Sequence, residues 1–322
     1  MAAELAPELA FSLRPTAPFN FDATVHKPSH FPAASEHFEA GRYWQSMLFG
    51  GRALGLRLEN AGDVDHPMVD VVAYAAEPID SGLAPALAAE LRWRFDLDAD
   101  LAPFERRCGA DPLLAPAWER WRGMRITATG SLYEMLVIYV LLQNATVRRT
   151  VQMMEALFQR FGSPLRFDDR DLHAFWPPEA LAAVPEDELR ALKLGYRART
   201  LKRLSDAFAA GAVDESRLRS LSKDEARSQL LKLYGIGPAS VWYLLFEVFH
   251  HYDALDYVSP WEQRIYSRLF FSEEMAPAER IIDEAKRRWG RWRMLAAHYL
   301  FEDLFWRRKN EPVEWLEELI RL

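Results

Sequence analysis

Cysteine is nearly absent: Cys108 stands alone in 322 residues. A single thiol forms no disulfide within the chain and builds no four-cysteine cluster, so a reducing, cytoplasmic compartment is expected, nucleoid-associated if bacterial. Long apolar runs are missing as well. No uninterrupted stretch approaches the ~20 residues a helix needs to cross a bilayer, which excludes a spanning helix as a working expectation. Met1-Ala2-Ala3-Glu4-Leu5 has no basic head before an apolar run, which argues against a secretory leader. An excess of positive charge is also lacking. Forty Lys and Arg stand against 47 Asp and Glu, a formal net charge of −7. That balance argues at first against a polyanionic partner.

What is present qualifies the last point. Charge is segregated along the chain. Between Glu77 and Glu105 seven acids face only Arg92 and Arg94, whereas Lys286 to Arg293 packs five cations into eight positions. Lys193 to Arg203 adds five cations and no acid. Polyanion binding depends on local Lys and Arg placement, so the global sum does not decide it. Half the residues are hydrophobic and 19 prolines punctuate the chain, a globular composition with room for two domains.

Patterning divides the chain into a first domain over 1–80 and a second over 81–322. Phe19 to Val25 alternates, as does Arg52 to Leu58; Gly41 to Phe49 is aromatic-rich and ends at Gly50-Gly51; Val69 to Tyr74 is a short β-branched run. Period-two alternation between glycine turns predicts a small antiparallel sheet. Beyond Gly82 the apolar spacing turns helical, as in Leu132–Leu142, Val147–Phe161, Glu186–Leu192 and Glu279–Phe305, with prolines between the segments. The expected fold is mostly α, a helical body preceded by a small antiparallel β-sheet.

One turn inside that body carries the chemistry. Arg227 to Leu233 reads as a helix, Tyr234-Gly235-Ile236-Gly237 breaks it, and Pro238 to Phe246 resumes helical spacing. Gly235 suits a left-handed helix end, Pro238 suits a first helical turn, and Ile236 would plug the gap between the helices. Such a hairpin at about 225–250 aims free amides and a helix N-terminus outward, a ready phosphate site. A tight helix connection inside a core has the same Gly-x-Gly spacing.

Leu233-Tyr234-Gly235-Ile236-Gly237-Pro238 resembles the helix-hairpin-helix of the HhH-GPD DNA glycosylase superfamily. Phe158 to Gly162, His173 to Trp176 and Leu192 to Arg199 follow the order seen in 8-oxoguanine DNA glycosylases. Arg288 to Arg293 with Ala296-Ala297-His298-Tyr299 is similar to the C-terminal helix of 3-methyladenine DNA glycosylase II. The resemblance implies base-excision repair of damaged double-stranded DNA by a chain expected to act as a monomer. It implies DNA contacts from Leu233, Gly235, Ile236, Gly237, Pro238 and Ala239, and a minor-groove loop at Gln143-Asn144 followed by Arg148. Asn144 or Thr146 equally suits a helix cap. No cofactor is implied beyond a monovalent cation held by hairpin carbonyls, and no metal.

The sequence departs from the family pattern twice. Where strand-cutting relatives carry a lysine this chain has Ala239, so the resemblance implies a monofunctional enzyme that uses water. Where the family carries an aspartate this chain has Ser259. Glu262 lies one helical turn on and Asp256 three residues before, and both are candidate catalytic carboxylates. Ser259-Pro260-Trp261-Glu262 also fits a capping box, a structural role for Glu262 that needs no catalysis. An alkylated purine leaves as a neutral base and asks little acid help, so it is the expected substrate. Trp242, Trp261, Trp292 and Phe301, with Tyr133, are the aromatics expected to stack on an everted base. The alternative is a glycosylase-fold protein that binds distorted DNA and has lost its chemistry.

Overall fold

In the computed structural model, residues 2–30, 33–80, 82–128, 130–311, 313–317 and 319 are described. Gly50 and Gly51 take φ of +59° and +75°, the left-handed pair that closes a two-residue hairpin with the twist of its strands. That turn joins β4 to β5 in a five-stranded antiparallel sheet. Its strands are β2 (Ala6–Leu13), β3 (Glu36–Glu39), β4 (Arg42–Phe49), β5 (Arg52–Asn60) and β6 (Val69–Ala75), in the order β2-β6-β5-β4-β3; β1 (Ala3–Glu4) lies outside it. Phe19 to Val25 departs from the alternating expectation. Asn20 caps Ala23 at 3.1 Å and starts a short helix, α1 (Phe21–Val25), because its side chain supplies the acceptor that an amide of the first turn needs.

One face of the sheet buries Leu54, Leu56, Leu58, Val69, Val71 and Ala73. Helix α2 (Leu83–Arg94) covers it with Leu87 and Leu91, and the same core continues through Phe95 to Leu97. The first hydrophobic unit therefore runs past the expected boundary at residue 80.

The other face receives a hairpin that the helical reading of the body missed. Strands β7 (Ser163–Phe167) and β8 (Arg170–Ala174) pair with each other, and β7 pairs in parallel with β1. Asp168, at the tip, accepts from Trp44 Nε1 at 2.7 Å, Tyr74 Oη at 2.8 Å and Arg57 at 2.9 Å. The Phe167 ring lies over Gly55, where a Cβ would stand 2.5 Å from it. These contacts sew the sheet to the body, which fixes the walls of the cleft between them.

The body contains α3 (Ala102–Gly109), α4 (Ala115–Trp121), α5 (Leu132–Leu142), α6 (Val147–Phe161), α7 (Pro178–Ala182) and α8 (Glu186–Ala191). It continues with α9 (Arg197–Ala209), α10 (Glu215–Arg219), α11 (Lys223–Leu230), α12 (Pro238–Glu247) and α13 (Pro260–Phe271). Helices α14 (Ala278–Trp289), α15 (Arg293–Asn310) and α16 (Glu314–Glu317) complete it. The expected single run from Glu279 to Phe305 is broken at Gly290, whose φ of +54° ends α14. Helix α5 matches its expected limits, and Ser131 and Glu134 form a capping box at its start.

Candidate functional site

The glycine turn sits at the surface between α11 and α12. Gly235 has φ +76° and Ile236 is buried between the helices. The Ile236 N–H is spent inside the turn, donating to the Leu233 carbonyl at 3.2 Å. The outward amides are those of Gly237 and Ala239, which have no acceptor among the described residues. A Cβ built on Gly237 meets nothing within 4 Å, so the approach is open. Exposed cations surround it. Arg203 lies 4.1 Å over the ring of Tyr234, Arg199 interacts with the Tyr234 hydroxyl, and Lys232 is exposed just before the turn. First-turn amides next to guanidinium groups make a site for a phosphate.

A second loop is tied to this turn. Gln143 Nε2 donates to the Gly235 carbonyl at 2.9 Å, so Gln143 holds the hairpin and leaves Asn144 at the tip. Asn144 is exposed with φ +49°, a conformation that asparagine tolerates better than most residues. Its Nδ2 donates to Tyr196 Oη at 3.4 Å. The Gln143 carbonyl accepts from Tyr196 Oη at 3.1 Å and from the Arg197 guanidinium. Thr146 caps α6, accepting from the Arg149 N–H at 3.2 Å, and Arg148 is exposed on that first turn. Loop, hairpin and the start of α9 thus form one cationic surface with a polar tip.

Between the sheet and the body lies a cavity of about 250 Å³. Lys27, His30 and Glu36 reach it from the sheet side; Tyr139, Phe175 and Glu247 reach it from the body. Burial dominates its electrostatics. It pushes Glu247 up to about 7, against a hydrogen bond from Tyr139 and the charge of Lys27. It also pushes Glu36 up to about 7, and it pulls Lys27 below the usual lysine range although Glu302, Glu247 and Glu36 oppose the shift. Desolvation carries His30 down to about 4, so its ring is neutral at pH 7.

Behind one wall stands Glu262. Ser259 is the N-cap of α13, and Glu262 Oε2 accepts from its N–H at 3.0 Å and its hydroxyl at 2.6 Å. Oε1 accepts from the Tyr243 hydroxyl. The Tyr243 ring stacks on Tyr139, centroids 6.0 Å apart, and the Tyr139 hydroxyl donates to Glu247. A buried carboxylate and a cavity carboxylic acid are therefore joined through two stacked phenols.

Residues 137–291 match the HhH-GPD superfamily of base excision DNA repair proteins. Over that segment, close to half of its length, the chain is similar to that superfamily. It is 26% identical over 215 residues to a DNA-3-methyladenine glycosylase of Bacillus subtilis (strain 168), a span of 66% of this chain and 70% of the relative. A probable N-glycosylase/DNA lyase of Methanothermobacter thermautotrophicus is 24% identical over 234 residues, 67% of this chain and 74% of that one. Among solved structures, the 3-methyladenine DNA-glycosylase from Archaeoglobus fulgidus superposes with a TM-score of 0.73 at 18% identity, over 94% of this chain and 100% of its own. The apo 8-oxoguanine glycosylase/lyase of Clostridium acetobutylicum gives 0.69 at 19% identity, over 93% and 98%. The likeness of fold thus extends over the N-terminal sheet as well as the helical body.

Within that HhH-GPD fold, the anticipated residues fall into separate places. Leu233 to Ala239, Gln143, Asn144 and Arg148 share the cationic surface. Asp256 is ion-paired with Lys223 at 3.2 Å and Arg293 at 2.9 Å, which ties α11 to the start of α15. The expected base-stacking aromatics are not at the cavity. Trp242 is buried under Arg227, Trp292 stacks on Tyr252 in the main core, and Trp261 and Phe301 pack together in a C-terminal cluster. Tyr133 is in the core, its hydroxyl 2.8 Å from Ser205. Their apolar area is taken up by packing, which is the commoner fate of a large aromatic.

Sequence reasoning missed Lys27, Tyr139, Tyr243 and Glu247. Tyr243 and Glu247 lie four residues apart on α12, one helical turn, so one face of the helix after the hairpin carries both. That spacing was readable. Lys27 was not, since only the tertiary fold brings it against α12.

Proposed function

We propose that the chain is a monofunctional DNA N-glycosylase that turns a damaged base out of a duplex into the cavity between sheet and body and hydrolyses its bond to the sugar. The observation that carries this reading is the hydrogen bond from Gln143 to Gly235. It holds the polar tip at a fixed distance from the open amides of Gly237 and Ala239. A phosphate clasped by those amides leaves Asn144, backed by Tyr196, to fill the space the base vacates.

Glu262 is the carboxylate best placed to stabilise positive charge on the sugar. Three hydrogen bonds fix its position. Asp256 serves instead as an ion-pair hub. Ala239 offers no amine for a Schiff base, so water is the nucleophile and the strand stays intact. An alkylated purine with positive charge on its ring suits a cavity that gathers several carboxyl groups about one lysine. The test is release of 3-methyladenine from methylated duplex DNA, with borohydride trapping of the same reaction. Free base without a trapped adduct supports the reading. A trapped adduct refutes the monofunctional part, and no release with undiminished DNA binding supports a binding protein instead. That second reading draws on one observation, that both oxygens of Glu262 are already bonded within the protein.

A further inference from the structure

The cavity holds carboxyl groups that the proposed hydrolysis of a cationic base does not use. Glu247 ends α12 and lines the cavity. Its Oε2 accepts from Tyr139, while Oε1 has no hydrogen-bond partner among the described residues. We infer that Glu247 donates a proton to the departing base, so that the same site also releases purine lesions that carry no positive charge. This rests on the glycosylase reading above and adds an activity to it.

The chemistry separates the two lesion classes. A cationic base leaves with the electron pair of the C1′–N bond and becomes neutral. An uncharged purine takes the same pair and becomes an anion unless a proton reaches a ring nitrogen as the bond breaks. In the step inferred here the C1′–N pair goes to the base and the Oε1 proton bonds to a ring nitrogen. Water then adds to C1′ and loses one proton, and a proton from solvent restores the Glu247 acid. Glu262, held by three hydrogen bonds behind the cavity wall, is the carboxyl group assigned to the sugar charge.

Two carboxyl groups divide these roles when their surroundings differ. Glu262 is surrounded by donors. Glu247 faces Tyr139 from α5, Lys27 from the segment after α1 and Glu302 from α15, which His298 approaches at 3.9 Å, and it shares the cavity with Glu36 and His30. Burial holds it at about 7 in that company, so a large share carries its proton at neutral pH. The charge of Lys27 works against protonation.

The experiment compares hypoxanthine and 8-oxoguanine duplexes with methylated duplex containing 3-methyladenine, in single-turnover assays of the full chain. The parent is expected to release 3-methyladenine and at least one uncharged base. Release of the uncharged base should fall about tenfold per pH unit above pH 7, with no matching fall for 3-methyladenine. In Glu247→Gln the uncharged base should be released at least thirty-fold more slowly relative to 3-methyladenine than in the parent. Should that variant fail to fold, Lys27→Met gives a second reading. Loss of the cation raises the pKa of Glu247, and the alkaline limb for the uncharged base moves to higher pH. A parent that releases 3-methyladenine alone overturns the inference and spares the glycosylase reading. Equal losses on both lesion classes, or an unmoved alkaline limb, also overturn it. A parent that releases neither base refutes the glycosylase reading itself.

Discussion

Glu262 can be removed in two ways that separate its structural role from its chemical one. In Glu262→Ala three hydrogen bonds disappear, and the Tyr243 hydroxyl and Ser259 N–H lose their acceptor in a site where Glu262 is only 6% exposed. Hydrogen bonds to a charged group are worth about 1.5–3 kcal/mol each, but such losses do not add fully. A net loss of about 4 kcal/mol follows. For a chain of 322 residues the unfolding entropy converts this to a fall in Tm of roughly 6 °C. Glu262→Gln keeps the volume and one carbonyl oxygen, which still accepts from the Ser259 N–H, and its amide can donate to the Tyr243 oxygen. About 1 kcal/mol, or roughly 1–2 °C, is expected. Activity should rank differently. Both variants lack the negative charge, so single-turnover release of 3-methyladenine should fall at least about a hundredfold in each. Scanning calorimetry and base release, measured on the same preparations, decide the matter. A Gln variant that works at the parental rate makes the carboxylate a cap only. A Gln variant that melts as low as the Ala variant refutes the hydrogen-bond reasoning.

Gly235→Ala should lower stability by about 2 kcal/mol by calorimetry, since φ is +76° and the new Cβ would stand 2.6 Å from Thr200 Cγ2. Arg148→Ala should reduce the slope of log binding constant against log salt by about 1 on duplex DNA, and an unchanged slope would remove Arg148 from the phosphate contacts. Asn144→Ala should slow base release about tenfold or more and leave the melting curve in place, because its one side-chain bond is an exposed contact with Tyr196. Glu247→Gln should flatten the pH dependence of stability. With the folded group at about 7 and its unfolded value at 4.5, stability from this residue is full below pH 4.5 and is lost as pH rises through 7. The loss is about 3 kcal/mol at pH 8, and urea melts at pH 5 and pH 8 would measure it.

Elements with a strong local signal were legible in the sequence. The Gly50-Gly51 hairpin, α5, α6 and the 235–237 turn each depend on residues within a few positions of one another, so period and capping chemistry locate them. The capping box at Ser259 was readable for the same reason. Elements decided by distant partners were not. Strands β7 and β8 follow Gly162 in a helical stretch, and what makes them strands is the sheet surface that receives Phe167 and Asp168. The packing of the tryptophans was not legible for the opposite reason: composition shows that they are numerous and not where their area is spent. Trp261 donates to the Leu319 carbonyl in a satellite cluster, a contact no periodicity predicts.

The sheet supplies one wall of the cavity in front of the helical body. On the body alone, Glu247 and Tyr139 would face solvent, and an exposed carboxyl group stays near its ordinary value. Lys27 and Glu36 arrive from the sheet side, and burial in the cavity so closed is the main cause that raises Glu247, with the charge of Lys27 opposing it. The staple at Asp168 holds that wall in place through Trp44, Tyr74 and Arg57. Asp168→Ala should therefore act at a distance. It should loosen the sheet against β7 and β8, admit water to the cavity, and lower the pKa of Glu247. The pH at which release of an uncharged base declines would then move to lower values, while DNA affinity, set by the hairpin and the 143–149 loop, holds. A decline at the parental pH in a folded Asp168→Ala variant would show that the sheet does not set the chemistry of this cavity.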